Sequence, residues 1–203
     1  MYEEESSGGR GRRGGRGRRS GSRSRDDAAT PPQAPVDPVA KAKEICLNLL
    51  AMRPRTRTEL RDKLLQRGIE EPVADQVLSR LNDVGLVDDA AFAEMWVRSR
   101  HTYQGMSRRA LSLELRRKGV ADQLAAEAVS AVDSEAEETK ARELVRKRMR
   151  SVVGTAPELT LIRRLVAMLA RKGYSEGLAY RVVREEMRNA GNDTDLLDGA
   201  VPE

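Results

Sequence analysis

The sequence LRDKLLQRGIEEPVADQVL at residues 60–78 decides the fold, because the chain repeats its pattern twice. The further copies are LSLELRRKGVADQLAAEAV at 111–129 and LVAMLARKGYSEGLAYRVV at 165–183. In each copy a basic residue precedes a glycine, and the three glycines, Gly68, Gly119 and Gly173, stand roughly 50 residues apart, a spacing typical of stacked helical units. The pattern therefore predicts a helical repeat protein.

Apolar residues recur at fixed distances from these glycines. The leucines that precede them are Leu60, Leu64, Leu111, Leu115, Leu165 and Leu169. Residues four apart lie on one helix face, so we expect each copy to turn the same face toward its neighbour. The glycine should end a helix in the left-handed conformation, which glycine adopts without a Cβ clash.

Composition limits the classes of function. Charged residues make up 34% of the 203 residues and aromatic residues only 3%, which favours slim helical units over one deep core. The net charge of +5 suits a partner that is a polyanion or is bound to one. No apolar run approaches the roughly 20 residues that span a bilayer, and a single cysteine permits no internal disulfide. We therefore expect a cytoplasmic protein that does not enter a membrane.

The sequence contains no catalytic constellation. His101 is the only histidine and Cys46 the only cysteine. Cys46 lies between Ile45 and Leu47, where a core thiol is the simplest interpretation. No glycine-rich loop has the spacing of a nucleotide-binding loop. We predict a binding protein rather than an enzyme, with no cofactor and no metal.

Changes in composition divide the chain into five segments. We predict an arm rich in arginine, glycine and proline at 1–37, helical repeats at 38–85, 86–132 and 133–191, and an acidic tail at 192–203. The predicted fold class is all-α, an elongated array of three tandem three-helix repeats with a disordered N-terminal arm.

The arm contains a tract without acidic residues, whose arginines suit the phosphates of single-stranded nucleic acid. A solvated linker is the alternative interpretation. The arginines are Arg10, Arg12, Arg13, Arg16, Arg18, Arg19, Arg23 and Arg25.

Local signals predict where helices begin. Residues 56–59, TRTE, have the spacing of a capping box, and Ser107 is expected to cap the helix that follows it. Asp88 or Asp89 is the natural cap of the first helix of the second repeat. An aromatic and methionine stripe on that helix is expected to face the core, and it consists of Phe92, Met95, Trp96 and Tyr103.

The second repeat also carries a longer motif. Residues 85–93 read GLVDDAAFA, residues 96–100 read WVRSR, Gly105 follows, and LEL at 113–115 precedes KGV at 118–120. In this order and spacing the motif resembles the RecX family of recombination regulators. The similarity extends over roughly residues 40–190 and includes the three three-helix repeats.

The resemblance implies a non-enzymatic modulator, usually an inhibitor, of the RecA recombinase. Such a protein binds RecA, lodges in the groove of its filament on single-stranded DNA, and suppresses ATPase activity and strand exchange. This function belongs to recombination, DNA repair and the SOS response, and we expect the protein to act as a monomer. The motif positions carried over from the family are Asp88, Asp89, Phe92, Trp96, Arg98, Arg100, Gly105 and Lys118.

Two sets of site residues follow. Cations that lie outside the apolar faces of the helices should be free to contact a partner. Together with the acidic motif positions they form the RecA-binding hypothesis, whose residues are Asp88, Asp89, Arg98, Arg100, Arg109, Arg116 and Lys118. The structural motif positions are Gly68, Phe92, Trp96, Gly105, Leu115, Gly119 and Gly173.

Two other functions remain open from the sequence. The helix–glycine–helix pairs and the basic arm would serve a nucleic-acid-binding protein with helix-turn-helix-like units. Against this, the second helices carry few basic or amide side chains. They offer Asp75, Gln76, Ser79 and Arg80 in the first copy and Asp122, Gln123 and Glu127 in the second. A helical scaffold for a different protein is the other alternative.

Overall fold

The structure is a computed structural model that describes residues 37–152 and 157–191. The tail predicted at 192–203 lies outside these residues, as does the arm predicted at 1–37 except for its last residue, Asp37. Within them the chain forms α-helices and one π-helical turn, and no strand. The helices are α1 (Pro38–Met52), α2 (Arg57–Gln66), α3 (Glu71–Asp83), α4 (Asp89–Ser99), α5 (Arg108–Arg117), α6 (Asp122–Ser130), α7 (Ser134–Val152), α8 (Glu158–Arg171) and α9 (Glu176–Asn189), and the π-helical turn (Arg100–Gln104) follows α4.

The helices pack in three tandem units of three, which confirms the predicted all-α repeat fold. The first unit comprises α1–α3, the central unit α4–α6 and the third unit α7–α9. In the described part of the chain, every helix pair in extensive contact belongs to a single unit. Each unit encloses a separate hydrophobic core.

The repeated leucines are buried as predicted, but the direction predicted for them was wrong. They close the core of their own unit and do not face the neighbouring unit. Three helices surround the stripe of repeated leucines, so these leucines have no exposed side left for the next unit. The repeated leucines before the glycines have no exposed surface, and they are Leu60, Leu64, Leu111, Leu115, Leu165 and Leu169.

The three repeat glycines end α2, α5 and α8 in the expected left-handed conformation, with φ angles of 75°, 76° and 87° for Gly68, Gly119 and Gly173. At Gly119 the backbone N–H donates to the carbonyl of Arg116 at 2.9 Å, and Val120 N–H donates to Leu115 at 3.1 Å. This pair of bonds is the Schellman motif, and the other two glycines repeat it. We call these three segments the glycine turns.

The predicted helix caps are present. Thr56, Asp88 and Ser107 each accept a hydrogen bond from the backbone N–H three residues later. Asp88, and not Asp89, is therefore the cap of α4. This leaves the Asp89 carboxylate available for another contact.

The aromatic stripe of α4 is only partly in the core, which corrects its prediction. Phe92 is buried and Trp96 packs against the central core from its edge, but Met95 is 44% exposed and Tyr103 is 85% exposed. Tyr103 lies in the π-helical turn, whose wider hydrogen-bond spacing inserts a residue and breaks the α-helical register. Gly105, at φ 61°, ends this turn.

Candidate partner-binding surface

The first and central units meet at a polar joint, which we call the first joint. The Thr56 hydroxyl donates to the carbonyl of Lys118 at 2.6 Å, and the Thr58 hydroxyl donates to that of Gly119 at 3.0 Å. The Asp89 carboxylate accepts from the backbone N–H of Arg57 at 2.8 Å. The glycine turn of the central unit is thus held on the N-terminus of α2, where unpaired N–H groups favour an acidic side chain.

The central and third units meet in the same way at a second joint. The backbone N–H of Ser107 donates to the carbonyl of Lys172 at 3.0 Å. Glu137 takes the role of Asp89, because its carboxylate accepts from the backbone N–H of Arg108 at 2.8 Å. The Tyr174 hydroxyl adds a bond to the carbonyl of Gly105 at 3.2 Å. The second and third glycine turns therefore each end a helix and also attach their unit to the preceding one.

The first joint gives a matched pair of substitutions. Gly68→Ala should cost about 1–2 kcal/mol in unfolding free energy, because the left-handed conformation is strained with a Cβ. Apart from its neighbours in the chain, no residue lies within 4 Å of that Cβ, so strain is the only cost. Gly119→Ala should cost about 1–3 kcal/mol more, since its Cβ would overlap Thr58. Urea denaturation measures both losses of unfolding free energy. Equal losses for Gly68→Ala and Gly119→Ala would contradict the close contact of Gly119 with Thr58 at the first joint.

Trp96 lies beside the first joint and gathers charged groups around its ring. The Lys118 ammonium is 4.2 Å and the Arg100 guanidinium carbon 4.3 Å from the ring centroid, as expected for cation–π contacts. The indole N–H donates to the Glu114 carboxylate at 2.8 Å, which Arg100 also approaches at 3.4 Å. Trp96 thus makes its polar and cation–π contacts within the protein.

The charge of Lys118 is engaged inside the molecule and is not free, contrary to the expectation for an outward cation. Its ammonium lies 2.8 Å from the Glu59 carboxylate, which Arg53 approaches at 3.2 Å on the other oxygen. Burial raises the pKa of Glu59, but the hydrogen bonds from Lys118 and Arg53 outweigh it and leave the pKa below its ordinary value. Glu59 therefore stays ionised and neutralises Lys118.

The pKa of Asp89 is shifted in the opposite direction from that of Glu59. Burial raises its pKa, and the hydrogen bond from the Arg57 N–H offsets this effect only in part, so the pKa lies above its ordinary value. Both acidic residues of the binding hypothesis thus have a place in the fold, Asp88 as the cap of α4 and Asp89 in the first joint.

The remaining candidates lie at different places on the central unit. Arg98 lines a cavity of about 360 Å³ between α4 and α6, and Arg109 lines a groove of about 660 Å³ between α5 and α8. Both are exposed, and neither makes an ion pair or side-chain hydrogen bond with any residue that the structure describes. Arg116 is exposed and pairs with Asp122 at 2.7 Å. The structure does not gather the seven candidates into one site.

Two further cations line the groove and were absent from the sequence hypothesis. Arg117 and Arg171, the last residues of α5 and α8, share it with Arg109. The spacing of Arg109, Leu113 and Arg117, four residues apart on α5, was the signal that could have found Arg117. Arg171 could not have been found in this way, because it comes from another unit.

Other kinds of site were also considered in the described residues. The Cys46 thiol is buried, and burial raises its pKa to about 11, so it stays protonated at neutral pH. No group of three or more His, Cys, Asp or Glu side chains in residues 37–152 and 157–191 could hold a metal ion. No helix in these ranges has both the length and the apolar character required to cross a membrane.

The fold and the joints define a helical repeat protein whose three units each enclose a separate hydrophobic core. Comparison with known proteins gives the family. Models for the first, second and third three-helix domains of RecX match residues 42–81, 88–129 and 135–183. The chain belongs to the RecX family.

Relatives and a solved structure agree with the family models. The chain is 55% identical over 167 residues to the regulatory protein RecX of Amycolatopsis mediterranei, covering 82% of this chain and 95% of the relative. It is 51% identical over 165 residues to that of Streptomyces coelicolor, covering 81% and 87%. The crystal structure of RecX from Lactobacillus salivarius superposes with a TM-score of 0.65 at 25% identity, over 74% of this chain and 97% of that one.

Proposed function

We propose that this chain modulates the RecA recombinase as an inhibitor. It binds RecA and its filament on single-stranded DNA and suppresses ATPase activity and strand exchange, in recombination, DNA repair and the SOS response. In this proposal the chain acts in the cytoplasm as a monomer and performs no catalysis. Membership of a family of regulatory proteins supports the general role.

The observation that carries the proposal is the set of exposed cations on the central unit that have no partner among the described residues. Arg98 and Arg109 are both of this kind, whereas Lys118 and Arg100 are held by contacts within the unit or at the first joint. A cation that is exposed and unpaired can meet a carboxylate of a partner without first breaking an internal contact.

The arrangement supports a protein partner over sequence reading in DNA. A helix-turn-helix protein reads bases with the second helix of its pair. Here that helix is α3, α6 or α9. In α9 three arginines are offset by three glutamates, and α6 carries Asp122 and Glu127 without a basic residue. The only basic residue of α3 is Arg80, and its acidic residues are Glu71, Asp75 and Asp83. None of the three helices has a net positive charge, so none would gain attraction from the phosphates on either side of a groove.

The direct test is a RecA ATPase assay on single-stranded DNA with this protein titrated in. The proposal requires the ATPase rate to fall as the protein is added. The single-stranded DNA is kept in excess over the added protein, so that the protein cannot act by covering the DNA. An unchanged rate, together with tight salt-sensitive binding to DNA in the absence of RecA, would favour the nucleic-acid-binding function instead.

We further propose that the arginine-rich arm binds DNA phosphates independently of RecA. Deleting residues 1–35 should weaken binding to bare single-stranded DNA and flatten its dependence on salt, because up to eight cations are removed. Suppression of RecA ATPase should be largely retained. Fluorescence anisotropy at several salt concentrations measures the first effect, and an unaltered salt slope would identify the arm as a solvated linker.

A further inference from the structure

The groove between the central and third units is lined by two helices of like charge. Its α5 side presents Arg109 and Arg117, and its α8 side presents Arg171. The groove lies next to the second joint, since Gly173 and Tyr174 of the third glycine turn form one end of it. Its volume is about 660 Å³, which suits a peptide segment better than a water molecule or an ion.

The three groove arginines line one groove, and each of them is exposed. Within the described residues, none of them makes an ion pair or a side-chain hydrogen bond. By contrast, Arg142 contacts Glu138 and Glu185, and Arg146 contacts Glu186. Placing three unneutralised cations around one groove has an electrostatic cost, which an acidic ligand would remove.

The floor of the groove is apolar. On α5 the residues Arg109, Leu113 and Arg117 follow one another at intervals of four, so they form one stripe along the helix. Leu113 is 43% exposed, whereas Leu111 and Leu115 of the same helix are fully buried. Val166 lies opposite, on α8. The stripe therefore reads cation, aliphatic, cation.

This chemistry matches a protein segment better than a nucleic acid. Single-stranded nucleic acid binds where aromatic rings offer a surface for base stacking, but the only ring in the groove, that of Tyr174, is just 4% exposed. Glu114 and Glu176 also line the groove, but their charge opposes phosphates and carboxylates alike, so the buried ring is what separates the two ligands. An acidic segment with an aliphatic side chain would place its carboxylates on the arginines and its apolar group on Leu113.

We propose that this groove binds an acidic amphipathic segment of a partner protein, with carboxylates on both sides of an aliphatic residue. This inference rests on the proposed function in taking RecA as the protein that supplies the segment. The binding chemistry of the groove itself does not depend on that assignment, so the two ideas are tested separately.

The first experiment tests the groove without RecA. The probe is a fluorescein-labelled helical peptide with Glu, Leu and Glu on one face at intervals of four residues, and its control has Gln for both Glu. The full chain should bind the acidic peptide and should bind the Gln peptide much more weakly. The triple variant Arg109→Gln, Arg117→Gln, Arg171→Gln should bind the acidic peptide about tenfold more weakly.

The matched control removes three exposed cations of α7 that likewise have no partner among the described residues, by Lys147→Gln, Arg148→Gln and Arg150→Gln. It changes the net charge by the same amount and should bind the peptide as the wild type does. Equal loss in both triple variants would reduce the effect to net charge and overturn the proposal. So would equal binding of the Glu and Gln peptides, or failure of the acidic peptide to bind.

The second experiment identifies the occupant. A photo-crosslinking benzoylphenylalanine replaces Leu113 in the full chain, which is then bound to RecA filaments on single-stranded DNA. Capture of an acidic RecA segment supports the proposal, whereas capture of DNA or of residues 192–203 of this chain overturns it. If the groove triple variant still suppresses RecA like the wild type, the groove proposal fails and the proposed function stands. If the wild type never affects RecA but the peptide binds as described, the proposed function fails and the groove chemistry stands.

Discussion

Leu115→Ala is expected to lower the free energy of unfolding by about 2–5 kcal/mol, the usual range for truncating a buried leucine. Leu115 has no exposed surface, and it lies on the face of α5 that closes the central core. Its carbonyl also accepts the hydrogen bond from Val120 in the glycine turn. The alanine would leave a cavity where three helices meet, and a close-packed core relaxes only partly around a cavity.

The same helix supplies two controls. Leu113→Ala removes the same atoms from a side chain that is 43% exposed, and should cost less than about 1 kcal/mol. Arg116→Ala breaks only the exposed pair with Asp122 and should cost less than about 0.5 kcal/mol. Urea denaturation followed by circular dichroism gives all three values. Similar costs for Leu113 and Leu115 would contradict the assignment of the faces of α5.

Separate cores add a second expectation for Leu115→Ala. Because its contacts lie inside the central unit, hydrogen exchange should accelerate mainly in α4–α6 and less in α1–α3 and α7–α9. Uniform acceleration over all three units would mean that the joints couple the units into one cooperative structure.

Reversing two exposed charges should have the largest effect on function. Arg109→Glu combined with Arg116→Glu is expected to raise the concentration of protein needed for half-suppression of RecA ATPase by at least about tenfold, because like charges oppose docking and slow association. The thermal melt should change little, since neither side chain lies in a core and Arg109 has no partner among the described residues.

Arg116 requires its own control, because it already pairs with Asp122. Exchanging the two charges, by Arg116→Glu with Asp122→Arg, restores the internal pair while displacing the cation. If the exchange suppresses RecA ATPase better than Arg116→Glu alone, Arg116 acts through its pair with Asp122 and not by contacting RecA. A double reversal that inhibits RecA as well as the wild type would contradict a role for both arginines. Lys147→Glu with Arg148→Glu, which makes the same change of charge on α7, should leave suppression intact.

Much of the fold could be predicted because its signals are local. Leucines at intervals of four and a glycine beyond the last turn specify a helix, its buried face and its end within one short stretch. The N-caps are equally local, which explains why Thr56 and Ser107 were found. The direction of the leucines could not be predicted in the same way, because it depends on which helices close each unit.

The candidate surface was less predictable because it depends on distant pairs. The hydrogen bond from Thr56 to the carbonyl of Lys118 joins positions 62 residues apart, and no sequence pattern predicts it. Lys118 looked free because its partner, Glu59, belongs to another unit. Arg171 was overlooked for the same reason, since it meets α5 only across the second joint.

The glycine turns have a consequence for how such a chain changes over evolutionary time. Their joints use the carbonyls of Lys118, Gly119 and Lys172 as acceptors, and every amino acid offers a carbonyl. Mutations on the outer faces of α5 and α8 can therefore accumulate without altering how successive units are attached. A lineage can exchange its partner-facing side chains one at a time while its architecture persists, in keeping with the similar fold of the Lactobacillus salivarius protein at 25% identity.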